Sequence, residues 1–233
     1  MTVAAVILSA TPEGAIRDVE GRPLVRRLAE VAWSGGGVPV VVVAADPDGA
    51  VAEALAGSTA TLAEPAPAAT GPVGQICRGI DVALGLVAET DAALIWPARM
   101  AWVDPETLTS LIEAHGAHPD ELLRPAFQGA QGWPALLPVS ALETLRSLAP
   151  DRMPDELLAD LLRSGLPARP VECGDPGTMH DIDTARADLP PYDGPPEPAS
   201  GRSYEWGALA AEAADEPVPA GPTIVAWKDD PTT

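Results

Sequence analysis

The stretch that decides the fold is Val3-Ala4-Ala5-Val6-Ile7-Leu8, an uninterrupted apolar run close to the start of the printed sequence. The run is too short to favour a helix, and the lack of polar alternation is typical of a strand buried on both faces of a parallel sheet. The same pattern returns over residues 38–45, which contain five valines, and over residues 92–96. The sequence therefore predicts a sheet whose central strands are parallel and buried.

Helical segments separate these predicted strands. Leu24, Leu28 and Val31 share one face of a helix predicted over residues 23–33, which the glycines at 35–37 end. Further helices are predicted over residues 46–55, 72–87, 140–148 and 155–164, and one begins after the N-cap Asp104. Further strands are predicted over residues 60–63, 122–127, 135–137 and 168–173. The strand at 60–63 is predicted to lie at an edge of the sheet, and residues 128–132 are predicted to form a hairpin. Strands that alternate with helices form βαβ units, so the predicted fold class is α/β.

The composition limits the functions open to the chain. Its 233 residues, 46% of them hydrophobic, are enough to bury a substantial core. The formal net charge is −20 and Lys228 is the only lysine, which disfavours both nucleic acid and anionic membranes as partners. Because there is no apolar stretch of roughly 18 residues and no signal-peptide pattern, we expect a cytoplasmic protein.

The composition changes near residue 188. From there to the end lie nine of the 27 prolines and nine acidic residues, against Arg202 and Lys228. We therefore predict one domain over residues 1–189 and an acidic, proline-rich tail over residues 190–233 that is extended or disordered. The aromatic pieces at 204–206 and 224–227 leave a second interpretation open, in which the tail docks on the domain or on a protein partner.

Six segments of the sequence carry a resemblance to a known family. They are Ala4 to Ala10, Gly21 to Val25, Gly71 to Ile80, Pro105 to Leu108, Arg124 to Pro134, and Asp181 to Thr184. In this order they resemble the strand, helix entries and loops of the MobA-like nucleotidyltransferases, which include molybdenum-cofactor cytidylyl- and guanylyltransferases and their sugar-nucleotide relatives. The resemblance covers about residues 2–189 and implies a three-layer, Rossmann-like sheet of the nucleotide-diphospho-sugar transferase type.

The resemblance also implies a reaction and a set of site residues. In the family, a phosphorylated acceptor such as molybdopterin or a sugar phosphate attacks an NTP and releases pyrophosphate, with Mg²⁺ held by carboxylates. Carried over to this sequence, the catalytic and metal-binding residues are Asp181 and Asp183. The implied nucleotide-binding residues are Ser9, Ala10, Arg17, Gly71, Gln75 and Arg99.

The sequence departs from the family at the first loop. Residues 11–20 contain one glycine, no lysine and three carboxylates, where the family has a longer glycine-rich loop with a lysine. Acidic side chains and a proline make a poor cradle for phosphate, because like charges repel and an N–H donor is lost. Arg17 is the one candidate phosphate contact in this loop, and the alternative is that it pairs with Glu13 or Asp18.

A second departure follows the strand predicted at 92–96. Arg99 stands where the family has its metal-binding aspartate, and a guanidinium cannot ligate Mg²⁺. Two interpretations stay open: Arg99 replaces the metal as a fixed positive charge that pairs with Asp181 or Asp183, or it forms an ordinary ion pair.

Other substitutions fall on aromatic residues. Trp133 replaces a family histidine, and Trp133, Trp96 and Trp102 either fill the former pocket or offer a stacking surface. His115 and His118, with Asp120 and Glu121, have a loosely metal-like spacing that also suits a helix end.

These departures predict a catalytically degenerate, acidic pseudoenzyme that acts as a binding, regulatory or assembly component. The alternative is an active transferase with a rearranged site, in which Asp104, Asp181 and Asp183 hold Mg²⁺. A third hypothesis is an oligomer whose interface uses Trp206 and Trp227 of the tail.

Overall fold

The structure is a computed structural model that describes residues 1–194 and 224–225. Its strands are β1 (Val3–Leu8), β2 (Asp18–Val19), β3 (Arg22–Pro23), β4 (Val40–Val43), β5 (Thr61–Ala63), β6 (Ala92–Pro97), β7 (Leu122–Phe127), β8 (Ala130–Gln131), β9 (Ala135–Pro138), β10 (Ala168–Glu172) and β11 (Ile224–Val225). Its helices are α1 (Pro12–Ala15), α2 (Leu24–Ser34), α3 (Ala50–Leu55), α4 (Gly71–Leu86), α5 (Pro105–Ala117), α6 (Leu142–Arg146) and α7 (Pro154–Arg163).

Nine of the strands in the described residues form one sheet. Its order is β10-β7-β9-β6-β1-β4-β5-β11, with β8 paired to β7, while β2 and β3 form a separate hairpin. β9 runs antiparallel to both of its neighbours and β8 antiparallel to β7, and the remaining pairs in the sheet are parallel. The predicted α/β class with a mainly parallel sheet is confirmed.

Helices cover both faces of this sheet. α2 packs against α3 and α5, whereas α4 packs against α6 and α7, and both α2 and α4 contact β1 and β4. The continuous apolar runs follow from this sandwich, since every residue of β4 is buried and only Leu8 of β1 is partly exposed. The three-layer arrangement implied by the resemblance is therefore present.

Two predicted elements differ in detail. The loop after β1 contains the short helix α1, whose first turn is capped by Thr11 Oγ1 accepting from Gly14 N at 3.0 Å. α3 begins at Ala50 rather than at residue 46, because the Asp46 carboxylate stays outside the helix and accepts the backbone N–H groups of Val51 and Ala52.

The structure confirms the turn of the hairpin predicted over residues 128–132. Gln128 and Gly129 both have positive φ, 51° and 82°, as a two-residue turn between antiparallel strands of this twist requires. The chain then returns as β9, which inserts between β6 and β7.

The edge prediction for residues 60–63 is wrong. β11 pairs in parallel with β5, placing Ile224 opposite Leu62, so β5 has a neighbour on each side. The covering strand comes from the far end of the sequence, which a local pattern cannot reveal. Whether the tail docks or is disordered stays a prediction, and the predictions for Tyr204, Trp206 and Trp227 lie outside the described residues.

Contacts of the domain continue past the predicted boundary at residue 189. Asp193 N donates to Gly174 O at 2.8 Å, and Gly174 adopts φ 64° where a Cβ would lie 2.1 Å from Asp193 O. Within the described ranges, no helix is long and apolar enough to cross a membrane.

Candidate functional site

The candidate site lies at the carboxyl ends of β1 and β6. The chain passes from β1 outward to β4 and β5 and then returns to the other side of β1 as β6, so the direction of the strand order reverses between β1 and β6. Ala98 N donates to Leu8 O at 2.9 Å, so the loops that follow β1 and β6 begin side by side. In open α/β sheets, such a switch point forms the crevice in which ligands bind.

The loop after β1 supplies Arg17. Its Nη1 donates to Asp183 Oδ1 at 3.0 Å, and both side chains are at least half exposed. The prediction that Arg17 pairs with Glu13 or Asp18 is therefore wrong, because Asp18 instead accepts from Gly21 N in the turn of the β2–β3 hairpin. Ser9 and Ala10 directly follow β1, and the Ser9 hydroxyl donates to Thr11 O.

The loop after β6 supplies Arg99. Its Nη2 donates to Asp181 Oδ2 and lies 3.6 Å from Asp183 Oδ2. The structure thus forms the pairing considered for Arg99, and with both aspartates. Arg17, Arg99, Asp181 and Asp183 make one cluster of two positive and two negative charges, hereafter the charge cluster.

The two aspartates belong to residues 181–186, here called the strap, which crosses the crevice. Trp102 Nε1 donates to Asp181 O and Thr184 O, each at 3.0 Å. Ile182 N donates to Arg99 O at 2.7 Å. At the far end of the strap, Arg186 Nη1 donates to Glu20 Oε2 at 2.9 Å. The strap is therefore joined to both loops of the crevice.

The three tryptophans near the site are buried. Trp96 is fully covered and donates through Nε1 to Met100 O, while Trp102 and Trp133 pack under the guanidinium groups of Arg27 and Arg124, with ring centroids 5.5 and 5.3 Å away. Such burial fits the core-filling interpretation, since a stacking platform needs an accessible ring face.

Gly71 and Gln75 lie at the start of α4. Gln75 uses its side-chain amide to bond both backbone groups of Ala66, accepting from Ala66 N and donating to Ala66 O at 2.9 Å each. Gly71 adopts φ 58°, and a Cβ there would lie 2.0 Å from Pro150 O. In the part of the chain that is described, no hydrogen bond or ion pair joins either residue to the charge cluster.

The donor set does not fit a divalent cation. Mg²⁺ requires oxygen ligands in near-octahedral geometry, and both aspartates of the site are engaged by guanidinium groups. Among residues 1–194 and 224–225, no group of three or more His, Cys, Asp or Glu side chains is arranged to hold a metal. The set Asp104, Asp181 and Asp183 is thus not gathered as a metal site here.

A residue that sequence reasoning missed is Asp175. Its carboxylate is completely buried and accepts from Asp104 N at 3.0 Å, Thr107 Oγ1 at 2.7 Å and Gly177 N at 2.7 Å. Burial raises its pKa, although these donors act in the opposite direction. Asp104 occupies the N-cap position of α5 without a side-chain capping bond, so capping by Asp104 is not what holds this helix start.

Gly177 allows this segment to approach the loop after β6. A Cβ at Gly177 would lie 2.0 Å from Trp102 O, so only glycine fits. The sequence signal that could have identified the turn is Asp175-Pro176-Gly177, in which an aspartate bonds the N–H two residues later.

A cavity of about 520 Å³ lies away from the crevice, at the amino ends of β1 and β6, and Asp91, His115 and Asp120 contribute to its lining. His115 is 1% exposed, neither of its ring nitrogens has a hydrogen-bond partner among the described residues, and burial lowers its pKa. α5 ends at Ala117 with His115 in its last turn, which agrees with the interpretation of residues 115–119 as a helix end. The nearby Glu121 is held by Arg169 at 2.9 and 3.0 Å.

Comparison with known proteins identifies the family. The family model described as the MobA-like NTP transferase domain matches residues 15–166, about two thirds of the chain. The chain belongs to the MobA-like NTP transferase domain family. The matched region includes Arg17 and Arg99 and ends before the strap. No curated protein sequence matches the chain.

Solved structures with the same fold are numerous. A nucleotidyl transferase from Methanothermobacter superposes with a TM-score of 0.64 at 19% identity, over 78% of this chain and 92% of that one. The manganese complex of Rv0371C from Mycobacterium tuberculosis gives 0.58 at 19% identity, over 79% and 94%. A 4-diphosphocytidyl-2C-methyl-D-erythritol synthase from Anaerococcus prevotii gives 0.61 at 12% identity, over 78% and 93%. At these identities the likeness shows the shared fold.

Proposed function

We propose that this MobA-like domain does not carry out metal-dependent nucleotidyl transfer and acts as a binding, regulatory or assembly component. The observation that carries the proposal is the contact of Arg99 with both Asp181 and Asp183. A guanidinium supplies a fixed positive charge but no ligand for Mg²⁺, and it lowers the charge that these carboxylates would offer to a cation.

The first loop supports the same conclusion. Nucleotidyl transfer needs positive charge or N–H donors around the triphosphate as pyrophosphate leaves. Among residues 11–20 only Arg17 is basic, and its guanidinium already meets Asp183. The three carboxylates of the loop would repel the polyanion instead.

Pyrophosphate release tests this proposal. The full chain is incubated with each NTP, Mg²⁺ or Mn²⁺, and molybdopterin or a sugar phosphate, and the synthase from Anaerococcus prevotii with its own substrates serves as the positive control. We expect no release above the protein-free rate. Turnover at about 1 s⁻¹ or faster, which is ordinary for enzymes, would contradict the proposal.

The alternative of an active transferase with a rearranged site has one observation in its favour, the manganese complex of a protein with the same fold. It requires Asp181 and Asp183 to leave their arginines and hold the metal. The variant Arg99→Ala separates the two functions. If Arg99 only masks a metal site, calorimetry should show that Arg99→Ala gains Mn²⁺ binding. The control is Arg169→Ala, which removes an arginine elsewhere on the surface. If the site is degenerate, Arg99→Ala should bind Mn²⁺ no better than this control.

A further inference from the structure

Two arginines from different loops converge on one carboxylate. Asp183 Oδ1 lies 3.0 Å from Arg17 Nη1, and Asp183 Oδ2 lies 3.6 Å from Arg99 Nη2. Each oxygen of the same carboxylate thus faces a different guanidinium. An oxyanion with several oxygens, such as a phosphoryl group, presents the same acceptor geometry to a pair of arginines.

All three side chains are accessible from solution. Arg17 is 50% exposed, Arg99 61% and Asp183 66%. Solvent screening makes ion pairs between such exposed groups weak, so a dissolved anion can compete with the carboxylate for the same guanidinium donors.

The strap does not depend on the Asp183 side chain for its position. Its backbone is held by the Trp102 indole at two carbonyl oxygens and by Arg99 O at Ile182 N, and Glu20 binds Arg186 at its end. Removal of the Asp183 charge therefore leaves the strap attached, frees the donor of Arg17, and leaves Arg99 with Asp181 as its remaining acidic partner in the charge cluster.

We propose that Arg17 and Arg99 form an oxyanion site for a phosphorylated small molecule that binds without a divalent cation, and that Asp183 is a built-in competitor for it. This rests on the proposed function, in which Arg99 takes the place of a metal. The site lies in the switch-point crevice, where an α/β sheet offers ligand access. Binding is weak while Asp183 holds Arg17 and lies close to Arg99, which Asp181 also holds, and it strengthens when the Asp183 carboxylate is removed.

Isothermal titration calorimetry in EDTA tests the inference. Inorganic tripolyphosphate is titrated into the full-length wild type, Asp183→Asn and Asp183→Ala. Both variants are expected to bind more tightly than the wild type, by up to about fivefold, the factor that corresponds to the upper worth of an exposed ion pair. Replacing Arg99 by Gln in the Asp183→Asn background should abolish the gain, whereas Arg169→Gln in that background should retain it.

Asp188→Asn is the matched control, because Asp188 is an exposed charge in the segment just after the strap and forms no ion pair within residues 1–194. An equal gain in Asp188→Asn, no gain in either Asp183 variant, or a gain that appears only with Mg²⁺ would overturn the inference. Parallel titrations with CTP and GTP distinguish a nucleotide from a simple phosphate: tighter binding than tripolyphosphate indicates base recognition, and equal binding assigns recognition to the phosphates alone. Both results support an oxyanion site.

The inference and the proposed function fail in different experiments. Metal-dependent pyrophosphate release by the wild type contradicts the proposed function and is measured with Mg²⁺ present. The competition by Asp183 is measured in EDTA, where no metal-dependent reaction takes place.

Discussion

At the scale of single residues, Asp175 links the strand end of the sheet to the start of α5. Its buried carboxylate accepts three hydrogen bonds, two of them from residues about 70 positions earlier in the chain. A buried acceptor that satisfies several donors is costly to remove, because those donors lose both water and partner.

We expect Asp175→Ala to lower the free energy of unfolding by about 3 kcal/mol, since Asp104 N and Gly177 N would be left without their acceptor. Thr107→Val removes only the hydroxyl bond and should cost about 1 kcal/mol. Urea unfolding followed by circular dichroism measures both. Equal, small losses in the two variants would show that Asp175 does not organise this junction.

His115 gives a second prediction at this scale. Burial lowers its pKa in the folded protein below the ordinary value near 6.5, with Asp91 and Asp120 acting to raise it and the Met1 ammonium acting to lower it further. The unfolded chain therefore binds a proton more readily than the folded one. The contribution that the neutral, buried His115 makes to the stability is complete above the pKa of the unfolded chain. It is lost as the pH falls through about 6.5 toward the lower pKa of the folded protein.

The measurement compares the free energy of unfolding at several pH values between 7.5 and 5 for the wild type and His115→Phe. The wild type should lose more stability on acidification than the variant. Parallel profiles of the wild type and His115→Phe would remove His115 as the origin of the acid sensitivity.

At the scale of elements, the sequence patterns predicted most of the fold. Buried strands such as β1 and β4 and long helices such as α2 and α4 carry local signals of apolarity and period, and the structure has them within a few residues of their predicted limits. The errors concern partners that are distant in sequence. Asp183 rather than Glu13 or Asp18 pairs with Arg17, and β11 covers β5, because packing of the whole chain decides both contacts.

In the candidate site, too, some features could be predicted from the sequence and others could not. The substitution of Arg99 at a family metal position was visible in the sequence, and its two aspartate partners were among the predicted residues. The burial of the tryptophans was one of two open interpretations. The Asp-Pro-Gly pattern at 175–177 indicates a turn, but it does not reveal the bonds of Asp175 to Asp104 and Thr107, which lie about 70 positions away. The roles predicted for Ser9, Ala10, Gly71 and Gln75 in nucleotide binding stay predictions.

The close packing of the segment around Gly177 against the loop after β6 is testable. Gly177→Ala would place a Cβ within 2.0 Å of Trp102 O, a backbone atom that cannot move aside cheaply. We expect a loss of about 1–3 kcal/mol, as for other overpacked sites. Gly85→Ala in α4 is the matched control, because its added Cβ meets nothing within 4 Å and alanine favours a helix, so stability should stay equal or rise by up to about 1 kcal/mol. Thermal denaturation of the two variants distinguishes a specific clash from a general effect of alanine.

At the scale of the whole molecule, the distribution of charge limits what the crevice can bind. The chain carries 34 acidic residues against 14 basic ones, yet five of its arginines, Arg17, Arg22, Arg27, Arg99 and Arg186, lie on or beside the two loops and the strap. Four of them meet Glu20, Asp181 or Asp183. These four arginines face three carboxylates, so the crevice is less negative than the molecule as a whole, and an anionic ligand depends on release of an arginine from its internal partner.

The last prediction concerns the residue at which the folded domain ends. The sequence places the boundary at residue 189, whereas Asp193 N bonds Gly174 O and a Cβ at Gly194 would lie 2.2 Å from Cys173 O. These contacts hold the segment that leads from β10 to Asp175, so residues 190–194 should contribute to the stability of the domain.

A chain of residues 1–194 is expected to melt as one cooperative unit. A chain of residues 1–189 is expected to melt at least about 4 °C lower, the shift that roughly 2 kcal/mol causes in a domain of this size. Differential scanning calorimetry of the two truncations beside the full chain measures this. Equal melting temperatures for the two truncations would restore the boundary at 189. If the chain of residues 1–194 melts below the full chain, the difference measures the stability that residues 195–233 add, including the pairing of β11 with β5.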